Sequence, residues 1–300
     1  MQNIKTGKEW KNFEVQQYPG DNSRFYREVF NTRYPIIDKN TPISSIGSCF
    51  AVEIANHLSK NGYNYPLMQD EMTQERKSSA DWGAVYNVPC MKQIYQYSFE
   101  SFNPIVRWWE KGNYVIDPFR RDIAYDKNRK EKFFKRHAQN SYKILNNVEV
   151  MIFTLGMSEV WRDKRDKSTF WRVVPKRLYD KNIHEFHIMT VDEIIDDLYE
   201  IKRIINTYNP KCKMILTVSP VPFFATFRQD TDVISANFNS KATLKVAVDQ
   251  FIRNTKNTYY FPSYEYTLFN HINPYKKDNR HVSPKVVNNI MKLFERIFVK

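Results

Sequence analysis

Apolar positions along the chain recur with two periods, and the alternation between them outlines the elements. Ile43-Ser44-Ser45-Ile46 reads as a short buried strand, and Gly47-Ser48-Cys49 as the turn after it. Phe50, Ala51, Ile54, Ala55 and Leu58 then fall on one helical face. Strand, tight turn and helix form the opening unit of an α/β fold. Helices are expected near 88–98 and 129–146, with an irregular aromatic stretch between them that includes Trp108 and Trp109. Val148 to Leu155 is almost wholly apolar and predicts a buried strand ending at Gly156. Thr190-Val191-Asp192-Glu193 is a capping box, in which two side chains satisfy free backbone N–H groups. The helix after it carries Ile194, Ile195, Leu198, Ile201 and Ile205 on one stripe, and Asn209-Pro210 stops it. Met214 to Val218 predicts another strand, Asn239 to Asn254 a helix, and Thr258 to Phe261 a last strand. Ser283-Pro284 opens a final helix, with Val287, Ile290, Leu293, Phe294 and Ile297 inward.

This order implies a mainly parallel sheet covered by helices on both faces. Residues 1–40 read as an N-terminal arm and 41–300 as a single domain, with an irregular insertion over about 64–145. Ligands of such sheets bind outside the carboxyl ends of the strands. Gly47-Ser48-Cys49, Gly156-Met157-Ser158-Glu159 and Ser219-Pro220 each follow an expected strand directly, so they should share one edge.

Composition narrows the class. The chain has 300 residues, 42% of them hydrophobic and 15% aromatic, which excludes collagen-like, coiled-coil and disordered proteins. No run approaches the ~18 apolar residues of a membrane span. The N-terminus lacks the apolar core of a secretory signal, and three widely spaced cysteines, Cys49, Cys90 and Cys212, do not make a disulfide framework. A cytoplasmic setting is expected. The net charge of +13 fits either a basic soluble surface or an anionic partner.

Chemistry concentrates in two places. Cys49 opens a helix, where free N–H groups and the helix dipole favour a thiolate. Asp278-Asn279-Arg280-His281 places a carboxylate three residues before a histidine, so Asp278 can orient His281, and His281 can move a proton. The plainer alternatives are a packed cysteine and a D-x-x-H of no consequence. Cys90 and Cys212 are expected in the core, and Trp108-Trp109 to pack. His184-x-x-His187 sits in an expected loop without well-spaced acidic partners, so no metal site is expected. The basic-aromatic stretch Lys127 to His137 reads as a helix with Phe133 and Phe134 inward and its cations solvated, so nucleic-acid binding is not expected.

Gly47-Ser48-Cys49-Phe50-Ala51 spells the signature of the GSCFA family. Trp82 to Asn87, Thr154 to Trp161, Ser219 to Pro222, Asn237 to Leu244, Tyr260 to Glu265 and Asp278 to His281 also resemble its blocks, in order over roughly residues 40–285. That family is regarded as a relative of the SGNH/GDSL hydrolases. The resemblance implies a flavodoxin-like three-layer α/β/α sandwich and ester chemistry. It puts the nucleophile on Cys49, with Ser48 as the alternative should the register slip. It puts Asp278 and His281 in the last block, and oxyanion donors on Gly83 and Ser158. Gly47, Asn87, Gly156 and Glu159 would border the pocket. A serine is replaced here by Cys49 and an oxyanion asparagine by Ser158, and such a donor is worth ~10²–10³ in rate.

Three functions remain open on this reading. One is an acyl hydrolase acting on a small-molecule or glycan ester, with no cofactor required. The second is an acyltransferase with acyl-coenzyme A as a possible donor, as in a distantly similar capsule-polysaccharide family. The third is a non-catalytic module that binds an anionic ligand. Fold alone does not choose among them, and the oligomeric state is not legible.

Overall fold

The computed structural model describes residues 30–68, 78–120 and 124–300. The elements in chain order are β1 (Ile43–Gly47), α1 (Cys49–Lys60), α2 (Val88–Phe99), β2 (Trp109–Lys111), β3 (Tyr114–Ile116), β4 (Ala124–Asp126) and α3 (Lys130–Asn147). There follow β5 (Val150–Leu155), β6 (Glu159–Asp163), β7 (Thr169–Phe170), β8 (His184–Ile188), α4 (Val191–Tyr208) and β9 (Lys213–Val218). The chain continues with α5 (Val233–Arg253), β10 (Thr258–Tyr260), α6 (Ser263–Asn270) and α7 (Pro284–Phe298).

The central sheet has the order β1-β5-β9-β10, and every pairing in it is parallel. Its side chains alternate between two cores, as strand geometry demands. Val150, Ile152 and Ile215 face α1 and α7, while Met151, Phe153, Leu155, Met214 and Leu216 face α2, α4 and α5. Both faces are therefore covered, and the architecture is the expected α/β/α sandwich with a parallel sheet. No helix among the described residues is long and apolar enough to cross a membrane.

The expected elements recur with small shifts. Phe50, Ala51, Ile54, Ala55 and Leu58 are the buried residues of α1. The capping box at Thr190 and Glu193 forms in full. Helix α5 starts at Val233, six residues before the expected point. Asp232 caps it by accepting from the Ile234 and Ser235 N–H groups. Helix α6 carries no apolar stripe and was not expected.

Two parts of the chain differ more. The insertion is not irregular between its helices: β2, β3 and β4 form a small antiparallel sheet. The arm is largely residues outside the described ones, but its end is docked. Tyr34, Ile36 and Ile37 donate backbone hydrogen bonds to Ile297 and Phe298, and Ile37 is fully buried.

The end of β1 approaches β5 unusually closely. Gly47 has φ of +143°, and a Cβ there would lie 2.2 Å from Thr154 Oγ1 and 2.3 Å from the Thr154 carbonyl oxygen. Gly62, at φ +72°, has open space around it. Gly47→Ala is therefore expected to cost about 3 kcal/mol or more, and Gly62→Ala only about 1 kcal/mol. Urea unfolding of the two variants measures the difference.

Candidate functional site

Three hydroxyl groups tie the carboxyl ends of neighbouring strands. The Ser48 N–H donates to Thr154 Oγ1 at 2.9 Å, Ser48 Oγ donates to Ser219 Oγ at 2.7 Å, and Thr154 Oγ1 lies 3.2 Å from Ser48 Oγ. The turns after β1, β5 and β9 thus share one edge, as expected. Ser48 is buried, and its Oγ also accepts the Phe50 N–H at 3.3 Å, so its side chain caps α1.

Cys49 is the first residue of α1, and unlike Ser48 it is half-exposed. Its Sγ lies 3.9 Å from Tyr86 Oη. The other two thiols are buried as expected, and burial pushes both up to about 12. Tyr86 is brought there by the segment 84–87. Val85 donates to the Gly47 carbonyl at 2.6 Å, and the Gly156 and Met157 N–H groups donate to the Tyr86 carbonyl at 2.9 and 3.0 Å. A Cβ on Gly156 would lie 2.9 Å from that carbonyl. Asn87 follows, and its Oδ1 caps α2 by accepting the Cys90 N–H at 3.0 Å.

Cys49 opens onto a cavity of about 460 Å³. Ser48, Tyr86, Asn87, Gly156 and Glu159 also border it, with Arg280 from the last block. One wall is a second antiparallel sheet, β7-β6-β8, which supplies Val160, Trp161, Phe170 and Phe186. The loop after β9 adds Val221, Phe223, Phe224 and Phe227, the last in ring contact with Trp161 and Phe186. Glu159 is buried at the foot of β6, and both its oxygens accept from Thr226 Oγ1 at 2.9 Å. Burial raises its carboxyl, while the bond from Thr226 opposes that rise.

Asp278 and His281 form the expected pair, with Asp278 Oδ2 2.5 Å from His281 Nδ1. The Arg280 and His281 N–H groups both donate to Asp278 Oδ1 at 3.0 Å. The bonds from His281 and from these N–H groups hold the Asp278 carboxyl well below the usual range. Arg280, between them, donates to the carbonyls of Pro222 and Phe223 and ties this turn to the cavity wall. No hydrogen bond joins His281 to Cys49, and His281 does not line the cavity.

Two expected oxyanion donors lie elsewhere. The Gly83 N–H donates to Ser78 Oγ at 3.2 Å. Ser158 is buried against α5, where its N–H and its Oγ both donate to Ser240 Oγ, at 2.7 and 3.1 Å. Neither borders the cavity. His184 and His187 stand on β8 rather than in a loop, three residues apart and so on opposite faces. His184 Nδ1 accepts the Asp180 N–H, and His187 Nε2 lies 2.9 Å from each Glu193 oxygen. Among the described residues, no cluster of three or more His, Cys, Asp or Glu side chains is arranged to hold a metal. In the basic stretch, Phe133 is buried, Phe134 is half-buried beside Arg107, and Lys132 and Lys135 are exposed.

Lys241 was not anticipated. It is buried in the middle of α5, and its Nζ donates to the carbonyls of Gly156 at 2.7 Å and Val221 at 3.0 Å. It thereby ties together the loops after β5 and β9. Its only sequence signal is its position inside the block Asn237 to Leu244.

These features define an α/β sandwich whose candidate site is an apolar cavity at the carboxyl edge of a parallel sheet, with a half-exposed cysteine at a helix N-terminus. The chain belongs to the GSCFA family, whose model matches residues 42–294. No curated protein matches it in sequence. Among solved structures it is similar to a carbohydrate esterase family 3 protein from Talaromyces cellulolyticus, at 10% identity and TM-score 0.39, over 85% of this chain and 94% of that one. It is also similar to a Clostridium thermocellum family 3 carbohydrate esterase, at 11% identity and TM-score 0.37, over 86% and 95% of the two chains.

Burial pulls the Lys241 amine down to about 7 from its ordinary value of 10.5. Between those values the unfolded chain binds more protons at this position than the folded one, so stability rises with pH there. Wild type is expected to gain on Lys241→Met by up to about 1.4 kcal/mol per pH unit between pH 7 and 10. Urea unfolding of both proteins across that range measures the slope.

Proposed function

We propose that the protein is an acyl-ester hydrolase that works through a covalent thioester on Cys49. The observation that carries this reading is the contrast between two neighbouring side chains. The Ser48 hydroxyl is buried and engaged with Ser219 and Phe50, whereas the Cys49 thiol is half-exposed on the cavity. A nucleophile must be reachable, and its N–H at the first position of α1 has no helical partner. That N–H is suited to stabilise an oxyanion.

In the proposed cycle His281 takes the thiol proton and the sulfur attacks the ester carbonyl carbon. The tetrahedral intermediate collapses as the C–O bond breaks, and the leaving alcohol receives the proton from His281. Water then attacks the thioester, with His281 taking its proton and returning it to the sulfur. The products are a carboxylic acid and the free thiol. Asp278 holds His281 through Nδ1, which leaves Nε2 for this traffic. Nε2 must come within reach of Cys49 once substrate is bound, since catalytic hydrogen bonds often tighten only in the complex.

An acyltransferase shares the first half of this cycle, with an acceptor hydroxyl in place of water. Turnover of an acyl-coenzyme A that needs an added alcohol would identify it.

Intact-protein mass after brief exposure to activated esters tests the covalent step. Wild type should gain one acyl group, Cys49→Ala none, and Ser48→Ala should still be labelled at Cys49. Loss of Cys49 should lower kcat/KM by about 10³ or more, and His281→Ala by about 10²–10⁴. An adduct that survives Cys49→Ala would overturn the assignment.

A further inference from the structure

We infer that the cavity beside Cys49 receives the acyl part of the substrate, and that this part is an extended apolar chain of about eight to twelve carbons. The inference rests on the ester chemistry proposed above for the same site.

Size is the first argument. An acetyl group has three heavy atoms. At the ~30 Å³ that a water occupies in the liquid, it would leave most of the roughly 460 Å³ cavity unfilled. Unfilled apolar space forfeits dispersion contacts on every exposed wall atom. On the same scale a decanoyl group, with eleven heavy atoms, takes about 330 Å³ and fills most of the cavity.

The second argument is the state of the polar groups on the wall. Ser48 Oγ donates to Ser219, Asn87 Oδ1 accepts from Cys90, and both Glu159 oxygens accept from Thr226. Arg280 donates to the Pro222 and Phe223 carbonyls. The Trp171 indole N–H donates to the Ala84 carbonyl. The atoms named here are engaged within the protein, which leaves few of the wall's polar atoms to serve a sugar. A buried sugar ring brings several hydroxyls, each of which is costly to leave without a partner. A hydrocarbon chain needs none. The aromatic wall of Phe170, Phe186, Phe227 and Trp161 offers mainly apolar surface, and the buried Trp161 Nε1–H is a donor there with no partner among the described residues, suited to a single acceptor such as an ester oxygen.

The third argument is position. Cys49 lines this same cavity. A carbonyl presented to its sulfur therefore has the aromatic wall within the same cavity for the attached chain.

The test uses p-nitrophenyl esters from acetyl to dodecanoyl, with direct binding of decan-1-ol followed by calorimetry on wild type and Cys49→Ala. Expected are a kcat/KM that rises about fourfold per added methylene to a plateau between eight and twelve carbons, and decanol bound one to one by both proteins. Ala225→Trp, at an exposed position on the cavity wall, should move the optimum to shorter chains. Acetyl and decanoyl esters turned over equally, or decanol failing to bind Cys49→Ala, would overturn the inference even if Cys49 is acylated. Saturable binding of a methyl glycoside in place of decanol would also overturn it. Decanol binding without turnover of any ester would leave the cavity assignment standing and sink the catalytic reading instead.

Discussion

The Ser48 N–H meets Thr154 because Gly47 has no side chain. A Cβ at Gly47 would overlap both the hydroxyl and the carbonyl of Thr154, so β1 and β5 reach this close approach only with glycine. Everything at the edge of the sheet follows from that contact. With Ser48 seated between Thr154 and Ser219, α1 begins one residue later and its first position falls on Cys49. The Gly47 carbonyl also receives Val85, which draws the segment 84–87 across the strand ends. Gly156 leaves room for the Tyr86 carbonyl on the other side. Two glycines at the carboxyl ends of adjacent strands therefore set the position of the thiol, the tyrosine hydroxyl beside it and the cap of α2.

The fold was readable wherever burial imposed a period. Strands β1, β5 and β9 and the apolar stripes of α1, α4 and α7 are bounded by turn and cap residues, and each forms close to its expected limits. The positions of Ser48, Cys49 and Gly156 were readable from the strands they follow, and the Asp278–His281 contact from its spacing within one turn. The aromatic wall was not. Strand β7 has two residues, and β6 mixes Val160 and Trp161 with Arg162 and Asp163, so neither has a period to detect. The partners that decide Gly83 and Ser158 are local in one case and remote in the other. Ser78 lies five residues away, but Ser240 lies 82 residues away on a helix with no chemical signature. The resemblance placed both residues in named blocks, yet it could not say which way an N–H or a hydroxyl points. Lys241 and Tyr86 had the opposite fate: both sat inside blocks and neither attracted a role, because their partners are a thiol and backbone carbonyls from other elements.

Lys241 shows how the two loops at the mouth are held. A lysine amine in an apolar core is costly unless its donors are satisfied. Here the acceptors are two carbonyls, Gly156 and Val221, that mark the departures of the chain from β5 and β9. Carbonyls at a strand-to-loop junction have left the ladder and need partners of their own. One buried amine satisfies both and fixes the spacing of the loops that bear Met157, Glu159, Phe223 and Phe227 on the cavity. An apolar side chain of the same length would leave two acceptors unserved.

The same economy governs the rest of the edge and divides its residues into two groups. The serines, the Asn87 Oδ1, Glu159, Arg280 and Lys241 bond to other parts of the protein, so they build the walls. The thiol of Cys49, half-exposed, and the Asp278–His281 pair, on an exposed turn, are not absorbed in this way. Arg280 links the second group to the first, since its guanidinium grips the wall loop while its N–H joins that of His281 on Asp278 Oδ1. The loop after β9 and the His281 turn are therefore hydrogen-bonded to each other. Arg280 thus joins the wall loop to the turn that bears the proposed proton carrier, and it does so with side-chain donors on one and a backbone donor on the other.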